Sequence, residues 1–266
     1  MPVNAIDTAA PILTGVDGRL FTPTGQWLQA LEAVRARERR LRTLLPPDDE
    51  LRLPRRFAGW DAEPPAPGGM EEERAIRDLR ERERVLHYLK SGAPLPQTSD
   101  DLLELWTVAT RGDARVYDSL PAHFRREGEH VPFSADGSGS VRPGWETVPP
   151  DAIQAETGAM LRWIHTDTPC EVRAATAYFL FGRIHPFCDG NGRTLRMLCL
   201  GLLSAEYATP TLLACLDRLQ ANRLLLAEAE ARANTGREDL SVFGCLLLRI
   251  LGMAQYALEI SLQSRM

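Results

Sequence analysis

Residues 185–196 read His-Pro-Phe-Cys-Asp-Gly-Asn-Gly-Arg-Thr-Leu-Arg, an unusual density of chemically capable side chains. Pro186 discourages continuation of a preceding helix, which puts His185 at a helix end, exposed to solvent. Gly190, Asn191 and Gly192 let the backbone take positive φ and approach a ligand without Cβ clashes. A helix starting there points unsatisfied N–H groups and the positive end of its dipole at whatever sits in front. Arg193 and Arg196 are three apart, share one helical face and can both reach one phosphate group. Asp189 offers the hard oxygen that Mg²⁺ takes beside phosphates. His185 has an ordinary pKa suited to taking a hydroxyl proton near neutral pH.

Each residue alone has a plainer meaning. Gly-Asn-Gly is a turn, a helix-end histidine is common, and two arginines make a solvated face. A zinc site at His185 and Asp189 lacks a second His or Cys at ligand spacing. Together, a base, a metal ligand, an anion cradle and two phosphate cations describe phosphoryl or nucleotidyl transfer.

The flanking elements must hold this turn. Residues 171–183 are strongly apolar, with Val172, Ala175, Tyr178, Phe179 and Phe181. From Asn191 onward Leu195, Leu198, Leu202 and Leu203 recur at helical spacing, so the turn joins two buried helices. Further helices are predicted over 24–45 (Trp27, Leu28, Leu31, Val34, Leu41, Leu44), ended by Pro46 and Pro47, and over 71–90. The second has Ile76, Leu79, Val85, Leu86 and Leu89 as its apolar side. Ser99 is expected to cap the next, which carries Leu102, Leu105 and Trp106. Others follow from Asp151 and over 212–219, 224–234 and 240–262. Residues 1–24 read as a loosely ordered start, and the Pro/Gly-rich stretch 63–69 as a linker. Between 125 and 150 the helical period disappears. His130, Val131, Pro132 and Phe133, then Gly137 and Gly139, then Val141 read as a short hairpin. The fold class is mostly α, a helical bundle with one short β-hairpin. It divides into an N-terminal helical extension over 1–68 and a core over 69–266.

The chain has 266 residues, a formal net charge of −5 and 44% hydrophobic residues. The acidic balance argues against a general nucleic-acid binder. No apolar run reaches bilayer length, and the N-terminus, with Asp7 and Asp17, has no basic n-region. Five cysteines without a CxxC pair suit reduced thiols. A cytoplasmic protein with no membrane partner is expected; secretion as an effector and oligomerisation are both compatible with the sequence.

The 185–196 segment resembles the signature loop of Fic proteins, His-Pro-Phe-x-Asp/Glu-Gly-Asn-Gly-Arg-x-x-Arg, at every fixed position. The resemblance extends over about 25–255. Phe124 and Arg125 with His130, Val131 and the Gly-rich tip are similar to the family's flap hairpin, and Val148 to Trp163 to the helix after it. This implies a Fic fold and transfer of AMP from ATP to a Ser, Thr or Tyr hydroxyl of a target protein. By the family's pattern His185 is the base, Phe187 anchors the loop, and Asp189 holds Mg²⁺. Gly190, Asn191 and Gly192 form the anion hole, and Arg193 and Arg196 hold the distal phosphates. The flap (Val131, Pro132, Phe133) presents the target by strand addition. Gly192 stands where the kinase-like Doc branch has Lys, which favours nucleotidyl over phosphoryl transfer.

Three departures matter. Tyr178 stands where many members have a second His on the helix before the loop. Residues 222–227 lack the Tyr often found near adenine. The family's inhibitory pattern, Ser/Thr-x-x-x-Glu-Gly/Asn, is not met; Glu63, followed by Pro64, is its degenerate remnant. The absent element leaves room for a separate inhibitory protein. A second enzyme reading keeps the loop but uses UTP, GTP or CDP-choline, or a small-molecule acceptor. A third is a non-catalytic nucleotide-binding module, against which the intact His185, Asp189 and both arginines argue.

Overall fold

The computed structural model of this protein describes residues 12–13, 20–45, 70–111, 122–129, 147–235 and 239–264. The segment 130–141, with Val131, Pro132 and Phe133, and the stretch holding Glu63 lie outside them. Nine helices run through the described residues: α1 (Gly25–Leu44), α2 (Met70–Ser91), α3 (Ser99–Thr110), α4 (Ile153–Ile164), α5 (Cys170–Ile184), α6 (Asn191–Leu203), α7 (Thr209–Ala221), α8 (Arg223–Thr235) and α9 (Ser241–Gln263). The start that the sequence leaves loosely ordered contains a minimal antiparallel pair, β1 (Ile12–Leu13) and β2 (Leu20–Phe21), with Ile12 opposite Phe21. Two-residue strands are too short to show alternation.

The apolar periodicities become buried faces. α5 is the central helix: from Cys170 to Ile184 only Arg173 and Arg183 escape full burial. It packs on α4, α6 and α9, while α1 and α7 flank α9. One hydrophobic core takes Trp27, Leu31 and Val34 from α1, Phe179 and Phe181 from α5, and Leu248, Ile250 and Leu251 from α9. α9 is long and apolar enough to cross a membrane, with a mean hydropathy of 1.5 over its best window, but half of that window is buried within the protein. The apolar runs read from the sequence are shorter than this helix, because Gly252, Gln255 and Glu259 interrupt them.

Two local expectations change. The cap of α3 is Thr98, not Ser99: the Thr98 hydroxyl accepts from the Asp101 amide and the Asp101 side chain closes a capping box. Ser99 is the first helical residue. On α2, Ile76 is 44% exposed, whereas Glu81 is only 3% exposed. The face that turns inward carries a carboxylate, and the reason lies at the 185–196 loop.

Candidate functional site

The loop is the link between the C-terminus of α5 and the N-terminus of α6. His185 is the C-cap of α5 with φ 48, and it is the one non-glycine residue with positive φ among the described residues. That conformation costs about 1–2 kcal/mol for a residue with a Cβ, so its surroundings must enforce it. Arg125 is the enforcer. Its Nε donates to the His185 carbonyl at 2.9 Å and its Nη2 to the carbonyls of Val148 and Ile184. The Arg125 amide donates to the Pro186 carbonyl at 2.8 Å, and the Val148 amide to the Arg183 carbonyl at 3.1 Å. One buried side chain thus satisfies the carbonyls that the ending helix would orphan.

His185 is half-buried rather than exposed. Its Nδ1 lies 3.4 Å from the Gly182 carbonyl, a long hydrogen bond in which the ring nitrogen donates. Nε2 then carries the lone pair. Burial, aided by the Arg125 charge, pushes the pKa of His185 down to about 4, against the near-neutral value expected from the sequence. The imidazole is therefore neutral at pH 7, and a weaker base than an ordinary histidine.

Phe187 is 1% exposed and packs against Trp106 and Phe124, with ring centroids at 5.4 and 5.7 Å. Asn191 ties the loop to itself, its Oδ1 accepting from the Phe187 amide at 3.0 Å and its Nδ2 donating to the Phe187 carbonyl at 2.7 Å. Trp106 Nε1 donates to the Asp189 carbonyl at 2.8 Å. The variable position, Cys188, donates from Sγ to Glu129 Oε2 at 3.2 Å, and Glu129 also binds His123 at 3.0 Å. The segment 122–129 is thereby fastened to the loop at both Arg125 and Glu129. Burial and the Glu129 carboxylate push the Cys188 thiol up to about 11, so it stays protonated.

The two glycines have different reasons. Gly190 has φ 82, and a Cβ there would come within 2.5 Å of Thr110 Cγ2 and 2.7 Å of Trp106 Nε1. Gly192 does not take positive φ; its Cβ would meet Arg196 Nη1 at 3.2 Å. The glycine stretch therefore supplies one left-handed residue, at the N-cap of α6, and one close approach. Asp189 stands at that N-terminus with its side chain 51% exposed, one oxygen accepting from the Gly190 amide and 3.7 Å from Arg193 Nη2. Partial burial raises its pKa above the ordinary carboxylate value, and the nearby Arg77 opposes the rise.

Arg193 and Arg196 part company. Arg196 turns to Glu81 of α2, with Nε to Oε1 at 2.6 Å and Nη2 to Oε2 at 2.9 Å. Gln220 of α7 donates to the same Oε2 at 3.0 Å. Burial pushes the pKa of Arg193 down to about 10, with the Glu81 carboxylate opposing and Arg196, Arg84 and Arg77 adding to the fall. Glu81 and Gln220 escape sequence reasoning, which reads Arg125 only as part of the flap and Trp106 only as an apolar helix residue. Glu81 is one of several alternating Glu and Arg residues, and nothing local marks it as buried. No group of three or more His, Cys, Asp or Glu that could hold a metal occurs among the described residues. An ion here would depend on Asp189 with non-protein oxygens.

Known proteins bear on this geometry. Residues 111–203 match the family model described as Fic/DOC family. No curated protein matches the chain. A Fic family protein from Desulfovibrio desulfuricans G20, known from a crystal structure at 2.70 Å, is similar in fold: TM-score 0.60 and 16% identity, covering 92% of this chain and 76% of that one. The matched segment spans the clamp at Arg125, helices α4 to α6 and the whole loop, so the chain carries a Fic domain.

Proposed function

We propose that this protein is a nucleotidyltransferase that moves AMP from ATP to a Ser, Thr or Tyr hydroxyl of a target protein. The observation that carries the reading is the pairing, within one loop, of a neutral histidine at the end of α5 with an arginine-lined helix N-terminus at the start of α6. His185 Nε2 takes the acceptor's hydroxyl proton while that oxygen bonds to the α-phosphorus. The bond from the α-phosphorus to the bridging oxygen breaks, and pyrophosphate leaves. The amides opening α6 and Arg193 face the charge on the phosphates. Asp189 suits Mg²⁺, being half exposed at the mouth of the cradle with one oxygen already oriented by Gly190. When bound, the ion neutralises charge on the leaving phosphates.

An assay with labelled ATP, GTP, UTP and CDP-choline, comparing the protein with His185→Ala, tests this. Transfer of the adenylyl group that disappears in His185→Ala supports it. Transfer surviving the substitution removes His185 as the base, and transfer from another donor alone moves the reading to that nucleotide. No transfer from any donor favours a binding module.

A further inference from the structure

We infer that Arg125 is a positioning residue for the base proposed above: it locks His185 in its left-handed turn and ties the placement of the imidazole to the segment 122–129. The inference rests on that reading of His185, and its evidence is where the carbonyls go as α5 ends. A helix leaves its last turn of carbonyls without partners inside the helix. Here the Phe181 carbonyl accepts from the His185 amide at 2.9 Å, the Gly182 carbonyl from His185 Nδ1, and the Arg183 carbonyl from the Val148 amide at 3.1 Å. The next carbonyls all depend on Arg125. Ile184 accepts from Nη2 at 3.4 Å, His185 from Nε at 2.9 Å, and Pro186 from the Arg125 amide at 2.8 Å. Nη2 also donates to the Val148 carbonyl, which binds the end of α5 to the chain that leads into α4.

The consequence falls on the ring. With φ 48 at His185, Nδ1 meets the Gly182 carbonyl in the last turn of α5, and Nε2 is the ring nitrogen turned away from it. A residue with a Cβ avoids that φ, so the turn persists only while the carbonyls on either side stay fixed. Arg125 is buried, and its planar fork serves several carbonyls at once, which the point charge of a lysine cannot do. Glu129 makes a second tie from the same segment to the loop, through Cys188 Sγ at 3.2 Å. Its carboxylate is also engaged by His123 and by the Arg126 amide, so the segment closes on itself and forms one unit with the loop. Arg125 is also the charged group of this segment that opposes protonation of His185, while Cys188, on the loop itself, stays protonated and neutral. Fork and charge can therefore be separated by substitution.

NMR titration of the histidines and transfer kinetics of the full-length protein test the inference, using Arg125→Lys and Arg125→Met. The His185 signal is identified by its loss in His185→Gln, and melting curves establish folding. Arg125→Lys keeps the charge and loses the fork. Its kcat for nucleotide transfer is expected to fall about 100-fold, while ATP affinity by calorimetry changes little. Arg125→Met loses both: kcat falls at least as far, and the His185 midpoint climbs from about 4 toward the ordinary value of about 6.5, further than in Arg125→Lys. A merely structural role predicts that kcat per folded molecule and the His185 midpoint stay where they are in both variants, and that result would overturn the inference. If Arg125→Met does not fold, Arg125→Gln is read by the same criteria. Failure of both to fold would make Arg125 a scaffold residue and overturn the inference as well. Unaltered protein that transfers no nucleotide would instead overturn the proposed reaction, and the positioning role with it, even where the midpoint shifts as expected.

Discussion

Two buried ion pairs in this molecule are nearly the same object. In the bundle, Arg35 of α1 gives Nε and Nη2 to Glu171 of α5 at 2.7 Å each, with side-chain exposures of 19% and 1%. At the loop, Arg196 gives Nε and Nη2 to Glu81 at 2.6 and 2.9 Å, with exposures of 15% and 4%. Each carboxylate has a neutral third partner, Tyr207 at 2.8 Å in one case and Gln220 at 3.0 Å in the other. They differ in company. Beside Arg35 stand Tyr207, Cys170 and Glu171. Beside Arg196 stand Glu81, Tyr178 and Asp78, and one turn earlier Arg193 lies near Arg84 and Arg77 at the N-terminal end of α6. A balanced pair that closes on itself is architecture. A balanced pair beside other arginines and a helix N-terminus is what the proposed nucleotide site would need.

Breaking the bundle pair should have the largest effect on stability and none on specificity. Glu171→Ala, which leaves Arg35 with an uncompensated buried charge, is expected to cost about 3 kcal/mol in chemical denaturation. Whatever protein remains folded should bind nucleotide normally; a specific loss of ATP affinity would undo the contrast. Gly190→Ala comes next. Positive φ and a 2.5 Å approach to Thr110 leave no room, so the loop must move. A shift on the order of 1 Å costs roughly 100-fold in turnover, measurable as kcat for nucleotide transfer. Unchanged kcat would show that the cradle tolerates displacement. Trp106→Phe keeps the ring but removes the donor to the Asp189 carbonyl. About 1 kcal/mol of stability is expected to go, by thermal or urea melts.

The histidine gives a smaller effect with a defined sign. Its pKa is about 4 in the folded protein and near 6.5 in an unfolded chain. As pH falls, the unfolded chain takes the proton first. The stability tied to the neutral ring is complete above 6.5 and is lost progressively down to about 4. Denaturation midpoints over that range should fall less steeply in His185→Gln than in the unaltered protein; equal slopes would contradict the depressed value. The smallest change is expected at Gly192→Ala. There the neighbour is Arg196 Nη1 at 3.2 Å, a contact relieved by a few tenths of an ångström, and ATP affinity should drop a few-fold at most.

The sequence makes the helices and the loop legible for physical reasons. Apolar residues at a 3.6 period mark α1, α5 and α6, and a Pro, two Gly and a Pro-adjacent His mark the turn between buried helices. What it hides are long-range partners. Arg125 lies 60 residues from the carbonyl it caps, and Glu81 lies 115 residues from Arg196. Burial of a charged group is a property of the assembled helices, so α2 read only by its apolar residues put Ile76 inward. His185 shows the same limit: its spacing marks a base, but only the packed environment reveals that burial makes it neutral and weak.

The central claim is that this loop transfers a nucleotidyl group with His185 as base. The most direct measurement offers the protein an acceptor with ATP labelled at either the α- or the γ-phosphate. The account predicts that α-label becomes covalently attached to the acceptor, that γ-label leaves as pyrophosphate, and that His185→Ala abolishes attachment. Attachment of γ-label, or of α-label undiminished in His185→Ala, would contradict it.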